Sequence, residues 1–351
     1  MNARRYRVAQ WATGNIGTRA LREIIRHPAL DLAGVLVYDA AKNGVDAGEL
    51  CGEPPVGVAA TTDRAAVHGL AADCVLYMPR AADLDDVAAL LAAGTNVVTT
   101  CGEFFDGGRP LGEQRARVVD ACTRGNASLY ATGSSPGFIT DALPFALLSL
   151  QRRVDAVEIE EYADLSQRDS PELLFDLMGF GRPLDSYDAR RASALLGAFG
   201  PSLGLLAAAA GRPVDEWSCR GDVAAARRDT RLVAGPLAAG TIAAQRTTIV
   251  GRCGGDAVVR MTPTWYCTTD LDPAWDLRPT GWRVRVRGDA PLDVGLEFPI
   301  AVAELGSFTP AYTANRPVNA IPYVCAAPPG MLQTVDLPVI LPAGPVSRPR
   351  A

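Results

Sequence analysis

Residues 12–17 read Ala-Thr-Gly-Asn-Ile-Gly, and this short run carries the clearest chemistry in the chain. It follows an apolar stretch, Tyr6–Trp11, and opens a segment with apolar residues at Ile16, Ala20, Leu21, Ile24 and Ile25, the spacing of one helix face. The pattern is G-x-G-x-x-G with alanine in the first place. Gly14 has no Cβ, so the backbone there can approach a pyrophosphate closely, and Gly17 lets a helix pack tightly on a strand. The free N–H groups of a helix start, with the positive end of its dipole, then face an anion. A second apolar run, Leu32–Tyr38, leads to Asp39, 25 residues after Gly14, where a carboxylate can accept hydrogen bonds from an adenosine ribose. Gly14, Asn15, Ile16, Gly17, Asp39 and the nearby Lys42 are therefore the expected contacts of a dinucleotide. The alternative is a tight strand-to-helix turn without a ligand.

Three further segments follow expected strand ends, where such a ligand lies. They are Met78-Pro79-Arg80, Thr99-Thr100-Cys101-Gly102-Glu103-Phe104, and Thr132-Gly133-Ser134-Ser135-Pro136-Gly137-Phe138. Met78, Pro79 and Cys101 are candidate cofactor contacts. Glu103 is the one carboxylate directly after a strand end on a glycine; walled by Phe104 and Phe105, it could have a raised pKa and act as acid or base. A solvated loop glutamate is the other reading. The scarce residues narrow the chemistry. Lys42 is the only lysine, and His27 and His68 are the only histidines. Sugar-type oxidoreductases place a lysine after the fifth strand, and Tyr-x-x-x-Lys reductases need one beside the tyrosine. Dihydrodipicolinate reductases carry paired histidines and a lysine in their second domain. Lys42 is the only candidate for such a lysine, and it is expected near the cofactor's ribose rather than its reactive ring; neither histidine lies in the second domain, so a carboxylate-assisted reaction is left.

The elements that must position these residues alternate through the first third. Strands are expected at Tyr6–Trp11, Leu32–Tyr38, Cys74–Met78, Asn96–Thr100 and Ser128–Ala131, with helices at Ile16–His27, Leu84–Ala93 and Glu113–Arg124. Strand and helix in turn predict an α/β fold: an N-terminal Rossmann-type parallel sheet over residues 1–139. Residues 140–309 read as a central α+β domain with a mostly antiparallel, mixed sheet. It has a helix at Thr140–Leu150, helices between about Ser170 and Ala210, and strands at Val154–Tyr162, Gln245–Gly251, Ala257–Thr264, Trp282–Gly288 and Leu292–Pro299. In the first of these strands Glu158, Glu160 and Tyr162 share one face and Val157, Ile159 and Glu161 the other. The acidic face is expected in solvent or at a subunit interface; alternatively Tyr162 lines a substrate pocket with Phe138 and Trp265. The tail, residues 310–351, is rich in proline and is predicted to be largely extended.

Composition excludes several classes. Hydrophobic residues make up 48% and charged residues 21%, with a net charge of −5, which argues against nucleic-acid and anionic-membrane partners. The eight cysteines show no C-x-x-C and no histidine in ligand spacing, so neither a metal site nor a disulfide framework is expected. Three arginines near the N-terminus are followed by no apolar leader core, and the most apolar stretch, Leu195–Ala210, is interrupted by Gly197, Gly200, Pro201 and Gly204. It reads as a buried helix too short for a membrane span of ~20 residues. The expected location is the cytoplasm.

Taken together, Val8–Gly17, Asp46–Gly52, Thr132–Phe138 and Ala314–Pro322 resemble the dihydrodipicolinate-reductase-like family. The branch they resemble holds 2,4-diaminopentanoate dehydrogenase and the native NAD(P)H-dependent amine dehydrogenases. The resemblance spans nearly the whole chain. It implies a tail that returns to the first domain, with Asn319 near the cofactor, and a homo-oligomer, expected to be a dimer. It also implies reversible oxidative deamination, in which an amine and NAD(P)+ give a ketone or aldehyde and ammonia, assisted by a glutamate near the end of the fifth strand, where Glu103 falls. Many members have a small hydroxyl residue where this chain has Asp39. A carboxylate there favours the ribose hydroxyls of NAD and repels the extra phosphate of NADP, while Lys42, expected on a flexible loop, softens that repulsion. NAD is the preferred cofactor on this reading. A carbonyl or imine reductase on the same scaffold and a non-catalytic dinucleotide-binding regulator are the alternatives.

Overall fold

The computed structural model describes residues 4–342, so the last nine residues of the proline-rich tail lie outside the described residues. The chain divides into two compact units, Met1–Phe138 with Pro310–Ala351, and Ile139–Thr309.

The first unit is built on a seven-stranded sheet in the order β16-β6-β5-β4-β1-β2-β3, with every pairing parallel. The strands are β1 (Tyr6–Trp11), β2 (Leu30–Leu36), β3 (Ala60–Thr61), β4 (Cys74–Tyr77), β5 (Asn96–Thr99), β6 (Ser128–Ala131) and, from the tail, β16 (Gly330–Leu332). Its helices are α1 (Asn15–Arg26), α2 (Ala47–Cys51), α3 (Arg64–His68), α4 (Leu84–Ala92), α5 (Phe105–Gly108) and α6 (Arg115–Gly125). Side chains alternate across the buried strands. Ala9, Trp11, Val75, Tyr77, Val97 and Leu129 pack on one face with Val87, Leu90 and Leu91 of α4 and Val118 and Ala121 of α6. Val8, Leu76, Val98 and Tyr130 pack on the other face with Ala20 and Ile24 of α1. Both faces are covered, as continuous apolar strands require. The order 3-2-1-4-5-6 is that of dinucleotide-binding folds, and it reverses between β1 and β4, where the crevice for a ligand opens beyond the carboxyl ends.

The tail corrects the expectation of an extended segment. Leu305–Ala326 is a helix (α9, after α7 and α8 of the second unit) that runs through Pro310, Pro317 and Pro322. Each interior proline removes a helical hydrogen bond and costs ~3 kcal/mol in helix propensity. Burial offsets this: Ala314, Val318, Ala320, Ile321 and Val324 join Val8, Leu76 and Val98 in the core. Tertiary packing decides the helix, not propensity.

The second unit carries β7 (Val154–Asp164), β8 (Glu216–Ala226), β9 (Thr230–Leu232), β10 (Gly235–Leu237), β11 (Ile242–Cys253), β12 (Asp256–Tyr266), β13 (Leu271–Asp272), β14 (Gly281–Gly288) and β15 (Leu292–Glu297). Its main sheet has the order β13-β8-β11-β12-β7-β14-β15 and is antiparallel except where β12 runs parallel to β7. Helices α7 (Leu143–Leu148) and α8 (Ala189–Ala209) accompany it. Phe199, Leu203, Leu206 and Ala207 of α8 pack on Val157, Ile159, Ile249, Met261 and Val284 of one face. Helix α8 is longer than the sequence pattern suggested. Asp188 caps it by accepting from the N–H groups of Arg190 and Arg191, and it continues through all four interruptions. By length and composition Arg190–Ala209 is long and apolar enough to cross a membrane, but its apolar side is used against this sheet.

The opposite face corrects a second expectation. Glu158 and Glu160 do share a face with Tyr162, but Arg283, Arg285 and Arg287 of β14 stand beside them. Arg285 lies 3.1 Å from Glu160 and 3.8 Å from Glu158, and Arg287 lies 3.4 Å from Glu158. The face is therefore a mixed, largely neutralised network and not an acidic one.

Candidate active site

Strand β1 delivers the chain to Ala12, which sits in the first-glycine position with φ +74°, in the left-handed region that favours glycine. Its N–H donates to the Leu36 carbonyl of β2 at 2.9 Å. Gly14 then caps α1 without any side-chain hydrogen bond and with no acidic residue in the first turn, so the turn's N–H groups keep their positive end unneutralised. The two motif glycines differ in cause. A Cβ on Gly17 would stand 2.1 Å from the Ala12 carbonyl oxygen, so helix and loop can touch only through glycine. A Cβ on Gly14 would meet no heavy atom within 4 Å. The protein does not require glycine there; a pyrophosphate lying close to the backbone would. The cradle thus fits the phosphates of a dinucleotide. Asn15 is exposed at its start, and Ile16 is half-buried against the core below.

The adenosine side departs from expectation. Strand β2 ends at Leu36, three residues before Asp39. Asp39 is exposed, and its carboxylate accepts from the Ala41 N–H at 2.9 Å, capping a short 3-10 turn over Ala40–Lys42. Lys42 is not on a free loop. Its ammonium donates to the Thr13 carbonyl at 3.0 Å, with the Thr13 hydroxyl at 3.4 Å, so the only lysine of the chain stands against the phosphate loop.

Met78, Pro79 and Cys101 are brought together on the neighbouring strand ends. The Met78 N–H donates to the Trp11 carbonyl at 2.9 Å, and the Cys101 thiol reaches the Pro79 carbonyl at 3.4 Å. Burial pushes the Cys101 thiol up to about 12, so it is no nucleophile near neutral pH. Glu103 follows in a 3-10 turn, Gly102–Phe104, after β5. It is partly exposed, and its carboxylate accepts from the Ala82 N–H at 3.3 Å. The expected aromatic wall is not formed: Phe104 and Phe105 are 1% and 4% exposed and pack into the core with Val118 and Leu129.

Thr132–Phe138 leaves β6 and meets α9. Arg316 donates to the Thr132 hydroxyl at 2.8 Å and stands 5.9 Å over the Phe138 ring, and Ser134 and Thr313 hydroxyls are 2.7 Å apart. Asn319 lies half-buried one turn further along the same helix. In the second unit, Tyr162 and Trp265 do not share a wall. Register pairs Tyr162 with Thr264 and Trp265 with Ala163, which places the two rings on opposite sheet faces. Trp265 points to the α8-covered face, where its indole N–H donates to Glu161 at 2.7 Å and that of Trp282 does so at 2.8 Å. Sequence reasoning named neither Glu161 nor Arg316 as anchoring residues; a carboxylate on the apolar side of the Val157–Ile159–Glu161 alternation was the available signal for the former.

No family model matches the chain. An amine dehydrogenase from Streptomyces virginiae is 30% identical over 344 residues, covering 94% of this chain and 95% of that protein. The chain belongs to the amine dehydrogenase family. It is an NAD(P)-dependent oxidoreductase. Among solved structures, the amine dehydrogenase from Mycobacterium smegmatis superposes with a TM-score of 0.78 at 18% identity, covering 96% of this chain and 97% of that one. A biliverdin reductase from Synechocystis sp. PCC 6803, solved with biliverdin and NADP+, gives 0.52 at 13% identity, covering 94% of each chain. At these identities the two structures speak for the fold.

Proposed function

We propose that this member of the amine dehydrogenase family interconverts a small-molecule amine and its ketone or aldehyde. Amine, water and NAD(P)+ give carbonyl compound, ammonium and NAD(P)H. The 30% identity to an amine dehydrogenase across 94% of the chain carries this reading. We place the chain in the dihydrodipicolinate-reductase-like branch on the motifs at 8–17, 46–52, 132–138 and 314–322. The dinucleotide, when bound, exchanges hydride with the carbon that bears nitrogen. The chain holds it with the N–H groups after Gly14, the cation of Lys42, and the strand ends at Met78, Pro79 and Cys101, with Asn319 from the tail helix. Glu103 takes the proton from ammonium so that neutral ammonia can add to the carbonyl, returns that proton to the carbinolamine hydroxyl so that it leaves as water, and, a carboxylate again, stabilises the iminium cation that forms. In the oxidative direction the test is stoichiometry. One ammonium should be released per dinucleotide reduced, and reduction without ammonium release would contradict the reading.

Asp39 supports NAD as the preferred cofactor, with residual use of NADP. The exposed carboxylate can accept from ribose hydroxyls and opposes a second phosphate, while Lys42, fixed at Thr13, offsets part of that repulsion. At ~4 Å a charge pair is worth about 1 kcal/mol in water and about 4 at an effective dielectric of 20, so the two side chains are of comparable weight. Asp39→Ser should shift the ratio of kcat/KM toward NADP by about tenfold, ~1.4 kcal/mol. An unchanged ratio would show that Asp39 does not meet the ribose.

We further propose a cytoplasmic homodimer. The partly exposed, charged face of the second unit's sheet supports the dimer, because a surface that alternates Arg283, Arg285 and Arg287 with Glu158, Glu160 and Asp293 is complementary to itself under a twofold axis. Light scattering at micromolar concentration should give twice the 37.0 kDa chain mass; a monomer mass would contradict it.

A further inference from the structure

The residue beneath the phosphate cradle is an amide where an apolar side chain is expected. Gln10 is fully buried in β1, in a strand whose other central residues, Val8, Ala9 and Trp11, are core hydrophobics. Its Nε2 donates to the Ala12 carbonyl at 2.8 Å and lies 3.4 Å from the Trp11 carbonyl. The reverse amide orientation would set oxygen against two carbonyl oxygens, so the hydrogen-bond network fixes the assignment. Oε1 is buried without a hydrogen-bond partner among the described residues. A buried, half-satisfied amide is less stabilising than a methionine or leucine of the same length, and such exceptions concentrate at functional positions.

Ala12 supplies what the amide is for. Its φ of +74° is disfavoured for any residue with a Cβ, yet the first position of the motif needs that turn. Its carbonyl oxygen is also the atom against which Gly17 of α1 is packed. This one carbonyl therefore sets both the path of the loop and the seat of the helix that faces the phosphates. We propose that Gln10 is the positioning residue of the dinucleotide cradle, clamping the Ala12 carbonyl and thereby holding an alanine in the conformation that glycine would otherwise supply. This rests on the reading of residues 12–17 as a dinucleotide site.

The test separates clamping from core filling by rescue. Gln10→Met keeps the volume and removes the donor. NADH and NADPH affinities are measured by fluorescence titration, with thermal unfolding alongside, for the parent, Gln10→Met, Ala12→Gly and the double variant. Gln10→Met should weaken the better-bound dinucleotide by about tenfold. Ala12→Gly sets the reference, since glycine adopts the turn unaided, and the double variant should bind within about threefold of Ala12→Gly. Should Gln10→Met fail to fold, a folded double variant that binds like Ala12→Gly shows the same rescue. Equal binding by parent and Gln10→Met, losses that simply add in the double variant, or a double variant that also fails to fold would each overturn the clamp. A parent that binds neither dinucleotide would instead overturn the site reading and the clamp with it.

Discussion

Glu103→Gln should leave dinucleotide affinity unchanged and lower turnover by about 10²–10⁴-fold, the usual cost of removing a general acid or base. Glutamine keeps an oxygen to accept from the Ala82 N–H, so the 3-10 turn after β5 and its exposure are preserved while the carboxylate that takes up and returns the proton is lost. Activity within about threefold of the parent, a ~0.6 kcal/mol effect, would assign Glu103 to the solvent-facing loop alone. Because Phe104 and Phe105 turn into the core, the effect has to come from the position of the carboxylate at the strand end and not from an aromatic enclosure.

The second large effect is expected at Gly17. Valine there would place its Cβ 2.1 Å from the Ala12 oxygen and 3.0 Å from the Ala12 carbonyl carbon, both backbone atoms that no rotamer can avoid. Helix α1 must move off the loop, and dinucleotide affinity should fall by at least about 100-fold, ~2.7 kcal/mol. The thermal midpoint should drop as well, because overpacking a buried site costs about 1–3 kcal/mol. Gly14→Ala is the companion measurement. Its Cβ meets nothing within 4 Å, so the thermal midpoint should stay at the parent's value, while affinity falls by about tenfold if a pyrophosphate lies against that backbone. Gly14→Ala protein that binds as tightly as the parent would show that the ligand does not approach there.

The contrast between these glycines shows what a sequence can and cannot reveal. The pattern Ala12–Gly17, with strands and helices on either side, was legible because local spacing encodes the turn itself. The five central strands of the parallel sheet were legible for the same reason, since short apolar runs alternate with helical periodicity from Tyr6 to Ala131, whereas the short edge strands β3 and β16 were not. Strand β8 was not: Glu216–Ala226 mixes glutamate, arginine, glycine and alanine, and it is a strand because it pairs along most of β11. Helix α9 was misread because three prolines argue locally against a helix, and only the burial of Ala314, Val318 and Ile321 reverses that argument. Lys42 illustrates a third limit. The sequence suggests a flexible loop there, but Lys42 closes a 3-10 turn and its hydrogen bond to Thr13, 29 residues earlier, is a tertiary contact. Gln10 was open to notice as the one amide inside an apolar strand, directly before the motif it supports.

The most direct test of the account is ammonium dependence in the reductive direction. Purified protein is given NADH or NADPH and a panel of ketones and aldehydes, with ammonium present or omitted, and the amine product is followed together with dinucleotide oxidation. Oxidation should require ammonium, one amine should form per dinucleotide oxidised, and Glu103→Gln should slow both by about 10²–10⁴-fold. Oxidation at the same rate without ammonium, yielding alcohol, would show a carbonyl reductase instead. Dinucleotide binding with no turnover across the panel would point to a regulator.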